Sequence, residues 1–252
     1  MRIVAYIMAK NEESNIKNSV KSLMWCDEVV VADTGSSDRT KEIAQDLGAK
    51  IIQVPFTGFG QTRNSVLEKI DADWIICFDA DEVCTKELAA ELKKEISEDK
   101  FQAFKAPRQT FLLGRVIKHS GWSPDIRHPV AFRKDNARYS QRNVHESLIV
   151  NGKIKTLKNS FLHYSNKNLS SYITKSLRYA ELGARELVQN KNKKITKSTA
   201  LIHGFLRFLR HYIFKLGFLD GWPGLIIAVT SSYGTFIKYT LAIEYQKEVE
   251  KG

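Results

Sequence analysis

"WIICFDADEV", residues 74–83, decides how the first half of this chain is read. Five apolar residues end abruptly in Asp79, Asp81 and Glu82, with Ala80 between the first two. An apolar run of this length bounded by polar residues reads as a buried strand. Its neighbours repeat the theme. "RIVAYIM" (2–8), "EVVVAD" (28–33) and "KIIQVP" (50–55) are short apolar runs, each followed by a polar turn and a helical pattern. In the first of these, Ile16, Val20 and Leu23 share one helix face. In the second, "SSDRTKEIAQDLG" (36–48) opens with capping residues and closes on Gly48. A further helix is expected near 60–70. Strands alternating with helices imply an α/β fold with a parallel sheet covered on both faces. Ligands of such sheets bind at the carboxyl ends of the strands, which places Asn11, Asp33 and Asp79 on one rim.

Beyond residue 100 the rhythm changes. "FQAFKAP", "PVAFRK" and "KIKTLKNSFLHY" read as strands without intervening helices, so a mixed sheet is expected there. From about residue 168 the pattern is helical to the end. The 252 residues, 43% hydrophobic, suffice for one sizeable core or one domain plus an appendage. The +11 net charge is uneven. Residues 1–100 hold 13 Lys/Arg against 19 Asp/Glu, and residues 101–252 hold 26 against 9. An acidic front and a basic back suggest two jobs, the basic half facing nucleic acid, an anionic membrane or an anionic substrate. No zinc-knuckle or RNP motif supports nucleic acid, so no nucleic-acid partner is expected. The odd cysteine count (Cys26, Cys77, Cys84), without a C-x-x-C pair, reads as reduced thiols in a cytoplasmic protein. "MRIVAYIMAKNEE" reads as a first strand, not a signal peptide.

The carboxylates have two readings. Acids at a helix start complement its dipole, and "DEVCTKEL" reads as opening a helix. Alternatively, two carboxylates one residue apart on an extended stretch hold a hard divalent cation, Mg²⁺ or Mn²⁺, shared with substrate phosphates. Asn11 and Glu13 could likewise be helix caps, and Asp33 a turn residue before "TGSSD".

With "KNEE" (10–13), "ADTGSSDRT" (32–40) and "FDADE" (78–82) in place, the chain resembles the glycosyltransferase family 2 enzymes over roughly residues 1–165. The resemblance implies a GT-A, Rossmann-like fold over 1–165, and the helical pattern and basic charge of 166–252 read as a membrane-associating extension. "FLLGRVIKHSGWSPDIRHPVAFRK" (111–134), "NVHESL" (143–148), "FLHY" (161–164) and "GFLDGWPGLIIAVTSSYGTFIKY" (217–239) resemble bacterial lipopolysaccharide-core β-1,4-glucosyltransferases, which act on an inner-core heptose. That implies an inverting, metal-dependent transfer of a hexose from UDP-glucose. The resemblance gives Asn11 and Glu13 to the nucleotide pocket, Asp33 to the uracil imide and Asp79 to the ribose. It gives Asp81 and His163 to the metal, and the general base to Glu146. Many relatives carry two or three consecutive aspartates, whereas here Ala80 interrupts and Glu82 follows, so Glu82 is a further candidate ligand, and His145 adjoins Glu146. Arg127, His128 and Arg133 are candidates for the donor phosphates, and Trp122 for a sugar platform. The alternatives are another sugar, a polysaccharide or polyprenyl-phosphate acceptor, or a non-catalytic nucleotide-binding or membrane scaffold.

"ALIHGFLRFLRHYIFKLGFL" (200–219) interleaves aromatics with Arg207, Arg210 and Lys215. It reads as one amphipathic helix, either of the core or lying on anionic lipid, with Phe205, Phe208 and Tyr212 as neighbours. The run 224–242 is long enough to span a bilayer but carries Thr230, Ser231, Ser232 and Lys238. A peripheral place on the inner face of the bacterial inner membrane is the expectation.

Overall fold

A computed structural model describes the chain except positions 124, 127, 141–146, 165–167, 191–194 and 250–252, with backbone alone at 190 and 249. Its contacts form two units, Met1–Gln109 with Asp125–Tyr164, and Thr110–Pro124 with Ser165–Gly252. The stretch Thr110–Pro124 therefore groups with the helices and not with the fold it interrupts.

In chain order, unit 1 contains β1 (Ile3–Ala9), α1 (Ile16–Leu23), β2 (Glu28–Asp33), α2 (Thr40–Asp46), β3 (Lys50–Gln53), α3 (Phe59–Leu67), β4 (Trp74–Asp79), β5 (Glu82–Val83), α4 (Lys86–Glu98) and β6 (Ala103–Lys105). β7 (Arg108–Leu112) leads into β8 (Arg115–Val116) of unit 2. The chain then returns to unit 1 through β9 (Pro129–Arg133), β10 (Ala137–Tyr139), β11 (Leu148–Val150), β12 (Ile154–Thr156) and β13 (Phe161–His163). The main sheet runs β12-β6-β9-β4-β1-β2-β3. β1 to β4 are parallel, and β9 is antiparallel to both β4 and β6. This is the mixed sheet expected from the loss of helices after residue 100.

β1 is hydrophobic on both faces because helices cover both. Val4, Ala5, Tyr6 and Ile7 are all inaccessible, and α1 seats Ile16, Val20 and Leu23 on one side. The helix expected at 36–48 is shorter, Thr40–Asp46, and ends where Gly48 takes φ +86 and donates its N–H to the Gln45 carbonyl. All three cysteines are free thiols. Burial pushes Cys26 upward in pKa, and Cys84 to about 12.

Unit 2 contains α5 (Leu169–Asn190), α6 (Lys197–Leu209) and α7 (Trp222–Val249). Residues 200–219 are not one helix. α6 stops at Leu209, a π-turn covers Arg210–Phe214, Leu216 takes a left-handed φ of 53°, and a short 3₁₀ turn covers Gly217–Asp220. The reversal is held from inside. Asp220, 7% exposed, accepts the amides of Lys118 (3.0 Å) and His119 (3.1 Å) and the Ser120 hydroxyl (2.7 Å). A Cβ on Gly224 would run into the Gly217 carbonyl, so the first turn of α7 can approach only as glycine. His211 hydrogen-bonds the Ser120 carbonyl through Nδ1 at 2.8 Å.

Among the described residues α7 is the one helix apolar and long enough to cross a membrane (mean hydropathy 1.2). Two of its polar residues, Ser232 and Thr235, are engaged with α6. The Ser232 hydroxyl donates to the Gly204 carbonyl (2.8 Å), and Arg207 donates to the Thr235 hydroxyl (3.2 Å). Arg207 thus faces α7, not the outer surface that the lipid-lying alternative for that helix expected.

His211 makes the reversal pH-sensitive. Burial, countered by the Ser120 carbonyl and reinforced by Arg207, Arg210 and Lys215, lowers its pKa below the ordinary value. A base with a depressed folded pKa stabilises the fold above its unfolded pKa and loses that stability as pH falls through the folded one. Urea midpoints should therefore fall between about pH 7 and pH 5. The fall should be shallower in His211→Gln. Equal slopes in both proteins would remove His211 as the cause.

Candidate active site

The parallel register sets the rim. Met8 lies beside Asp79 and Ala9 beside Asp33, so the ends of β4, β1 and β2 are level and Asn11 follows directly. Asn11 adopts φ 56° and is no helix cap, since α1 begins at Ile16 after Asn15. Its Oδ1 accepts from the Ser37 amide (2.8 Å), and its own amide donates to the Ser36 hydroxyl (3.0 Å). Glu13 accepts the Arg39 amide (3.2 Å). Together they tie the 10–13 loop to the 33–40 loop. Asp33, 1% exposed, accepts the amides of Gly35 (3.1 Å) and Ser36 (3.1 Å), so its carboxylate shapes the turn after β2.

The D-A-D-E stretch does not open a helix. It turns from β4 into β5, and α4 starts later under the Thr85 cap, whose hydroxyl accepts the Leu88 amide (3.1 Å). The three acids part company there. Asp79 Oδ1 pairs with Arg63 at 2.7 Å while its side chain stays 49% exposed. Glu82 turns inward, accepting the Asp79 amide (2.9 Å) with Arg108 at 3.9 Å. Burial first, then the Asp79 carboxylate, pushes Glu82 well above the ordinary carboxyl range. Asp81 faces His163 across the β5–β13 pair, which aligns His163 with Glu82. Asp81 Oδ2 lies 3.5 Å from His163 Nε2, and the Tyr164 amide donates to the Asp81 carbonyl at 2.8 Å. Among the described residues no third Asp, Glu, His or Cys gathers with them.

Beside Asp79 lies a cavity of about 170 Å³ lined by Arg63, Asp79, Glu82, Arg108, Asp125 and His128, among others. Arg108 is clamped by Asp125. His128 therefore lines the site. Arg133 does not. It pairs with Trp74 at the start of β4, lies 5.3 Å over the Trp74 ring and is bound by Asp99, at the end of the sheet away from the rim. Trp122 is packed edge-on to Tyr172 within unit 2 (5.9 Å). Glu146, His145 and Arg127 lie outside the described residues.

Sequence reasoning missed Arg63. Only 11% exposed, it donates to the Tyr6 hydroxyl (3.3 Å), the Cys77 sulfur (3.0 Å) and Asp79, and lies 5.5 Å from the Tyr139 ring centroid. Burial opposes its charge, but Asp79 and the surrounding acceptors raise its pKa, while burial raises the Tyr6, Cys77 and Tyr139 pKa values and keeps those groups neutral. The signal was a cation on α3 between buried Thr62 and Val66, where an unpaired charge is not tolerated.

The profile described as "Glycosyl transferase family 2" matches residues 5–150, more than half of the chain. The chain belongs to glycosyl transferase family 2. It is 29% identical to an uncharacterized glycosyltransferase of Rickettsia felis, over 94% of this chain and 88% of that protein. It is 27% identical to the lipopolysaccharide core biosynthesis glycosyltransferase LpsC of Rhizobium meliloti, over 98% and 93%. The crystal structure of S. aureus TarS 1-349 superposes with a TM-score of 0.50 at 15% identity, covering 98% of this chain and 92% of that one, a likeness of fold. The protein is a glycosyltransferase with a GT-A-type mixed α/β fold and a C-terminal helical part.

Losing Arg63 leaves two phenols and Asp79 around an empty, desolvated space. Arg63→Met should cost about 2–3 kcal/mol in urea unfolding, below the cost of breaking a fully buried pair because Asp79 is half exposed. Asp81→Asn should change stability by less than about 0.5 kcal/mol. Equal losses in the two variants would contradict this division of roles.

Proposed function

We propose that this glycosyltransferase moves a hexose, glucose from UDP-glucose, onto an inner-core heptose of lipopolysaccharide, with inversion, at the inner face of the membrane. The observation that carries the reading is the approach of Asp81 and His163 beside Asp79 on the strand-end rim. The similarity to a lipopolysaccharide core glycosyltransferase supports the acceptor class.

A carboxylate oxygen facing an imidazole nitrogen, both partly exposed, is a donor set that suits Mn²⁺ and tolerates Mg²⁺, and Asp81 and His163 would hold such an ion. Such a cation would supply charge neutralisation to the departing diphosphate. The chain's own residues do the remaining work. Asn11 and Glu13 hold the loops that frame the nucleotide, Asp33 accepts from the uracil imide, and Asp79, steadied by Arg63, receives the ribose hydroxyls. Arg127, from the sequence motif, and His128, from the cavity wall, serve the phosphates. Glu146 of "VHE" takes the proton of the acceptor hydroxyl as its oxygen attacks the anomeric carbon and the bond to the diphosphate breaks. One carboxylate opposite the leaving group gives a single displacement, so an α-linked donor yields a β-glycoside.

A panel of nucleotide sugars assayed with purified truncated lipopolysaccharide tests the reading. UDP-glucose should be the turned-over donor, and turnover of every donor except UDP-glucose would overturn that choice. Asp81→Ala should abolish transfer, and EDTA should do so reversibly on re-addition of Mn²⁺. Full activity in EDTA would end the metal role. Glu146→Gln should lower kcat by on the order of 10²–10⁴ with donor binding retained. A variant that loses donor affinity but turns bound donor over normally would make Glu146 a binding residue.

A further inference from the structure

The turn between α6 and α7 exposes a run of large apolar side chains. Ile213, Phe214, Leu216, Phe218, Leu219 and Trp222 are all exposed, Phe214 to 76% and Trp222 to 67%. Six large apolar side chains within ten positions exceed the scattered exposure of an ordinary surface. The backbone beneath them is fixed by the buried Asp220, which ties the turn to Lys118, His119 and Ser120, and by the close passage of Gly224 past the Gly217 carbonyl. The side chains are thus presented on a preordered frame, so burying them costs little further ordering of the chain.

The charges around this tip are of one sign. Arg210, Lys215, Arg115 and Lys118 are exposed. The Arg115 guanidinium reaches Gly221, and the Lys215 stem lies against Gly121. Between positions 197 and 243 the only carboxylate in the sequence is Asp220, and it is buried. We propose that the 213–222 turn is the membrane-inserting tip of this enzyme, its apolar side chains entering the acyl boundary of an anionic bilayer while Arg210, Lys215, Arg115 and Lys118 meet the headgroup phosphates. This rests on the membrane-surface reading above and replaces its agent. A rigid turn makes the contact, not the length of a helix over 200–219. A second copy of this chain is a poorer occupant, because a two-fold contact sets these cations against themselves.

The test uses the full chain with vesicles of phosphatidylethanolamine and phosphatidylglycerol. Phe214→Ser with Trp222→Ser should weaken sedimentation with vesicles by roughly tenfold or more, the order expected for withdrawing two large side chains from burial. Leu201→Ser with Phe205→Ser, on the exposed face of α6, should leave binding near wild type. Arg210→Glu with Lys215→Glu should weaken it, and salt should weaken wild type. Unchanged urea midpoints show that the variants are folded. As an independent readout, brominated lipid should quench wild-type tryptophan fluorescence, and Trp222→Phe should remove most of that quenching. Loss of binding in the α6 pair with none in the tip pair overturns this inference and leaves the surface reading standing. No binding by wild type overturns both. A wild-type dimer that the tip variants dissociate, with vesicle binding unchanged, makes the turn a self-interface instead. Hydrolysis of soluble donor reports separately on the transferase reading.

Discussion

A single guanidinium governs the end of β4. Arg63 reaches from α3 into a space walled by two phenols and a thiol, and the charge survives there because Asp79 lies 2.7 Å away. An unpaired ion in that position would be expensive, so the half-exposed carboxylate of the last residue of β4 is held against it, and the chain turns directly afterwards into β5. That turn frees Asp81 to face β13 while Glu82 folds back to cap the Asp79 amide. Three acids that look equivalent in sequence thereby acquire three environments. Asp79 is an ion-pair partner, Asp81 is half of a carboxylate–imidazole pair, and Glu82 is a buried acceptor beside Arg108.

The helical unit depends on a different buried carboxylate. Asp220 collects two amides and a hydroxyl from a loop a hundred positions earlier, which explains why Thr110–Pro124 groups with the helices. Removing those acceptors would leave orphaned backbone donors in the interior. With the break at Leu209 and the left-handed Leu216, the segment that reads as one amphipathic helix becomes a hairpin with an apolar end.

Local pattern carried most of the fold. Apolar runs of strand length, each closed by a polar turn and followed by a helical stripe, leave little besides a parallel sheet covered on both faces, and the rim position of Asn11, Asp33 and Asp79 follows from chain direction. The antiparallel strands after residue 100 were legible from the loss of intervening helices. Family membership was legible from three loop motifs, because glycines, amides and carboxylates at strand ends must recur in order wherever the same rim is built.

The sequence by itself thus determined the strand–helix order, the rim and the family. Tertiary structure alone decided which acid does what. Arg63 is 16 positions from Asp79, Ser120 is 100 from Asp220, and His163 meets Asp81 only because β13 pairs with β5 in one register. A slip of one residue would turn His163 to the opposite face. Arg133 shows the converse. It lies in the same motif region as His128, yet β9 runs antiparallel to β4 and carries it to the far end of the sheet. Local propensity holds no information about such long-range pairings, since their energies arise only when burial forces a charge to find the one partner within reach.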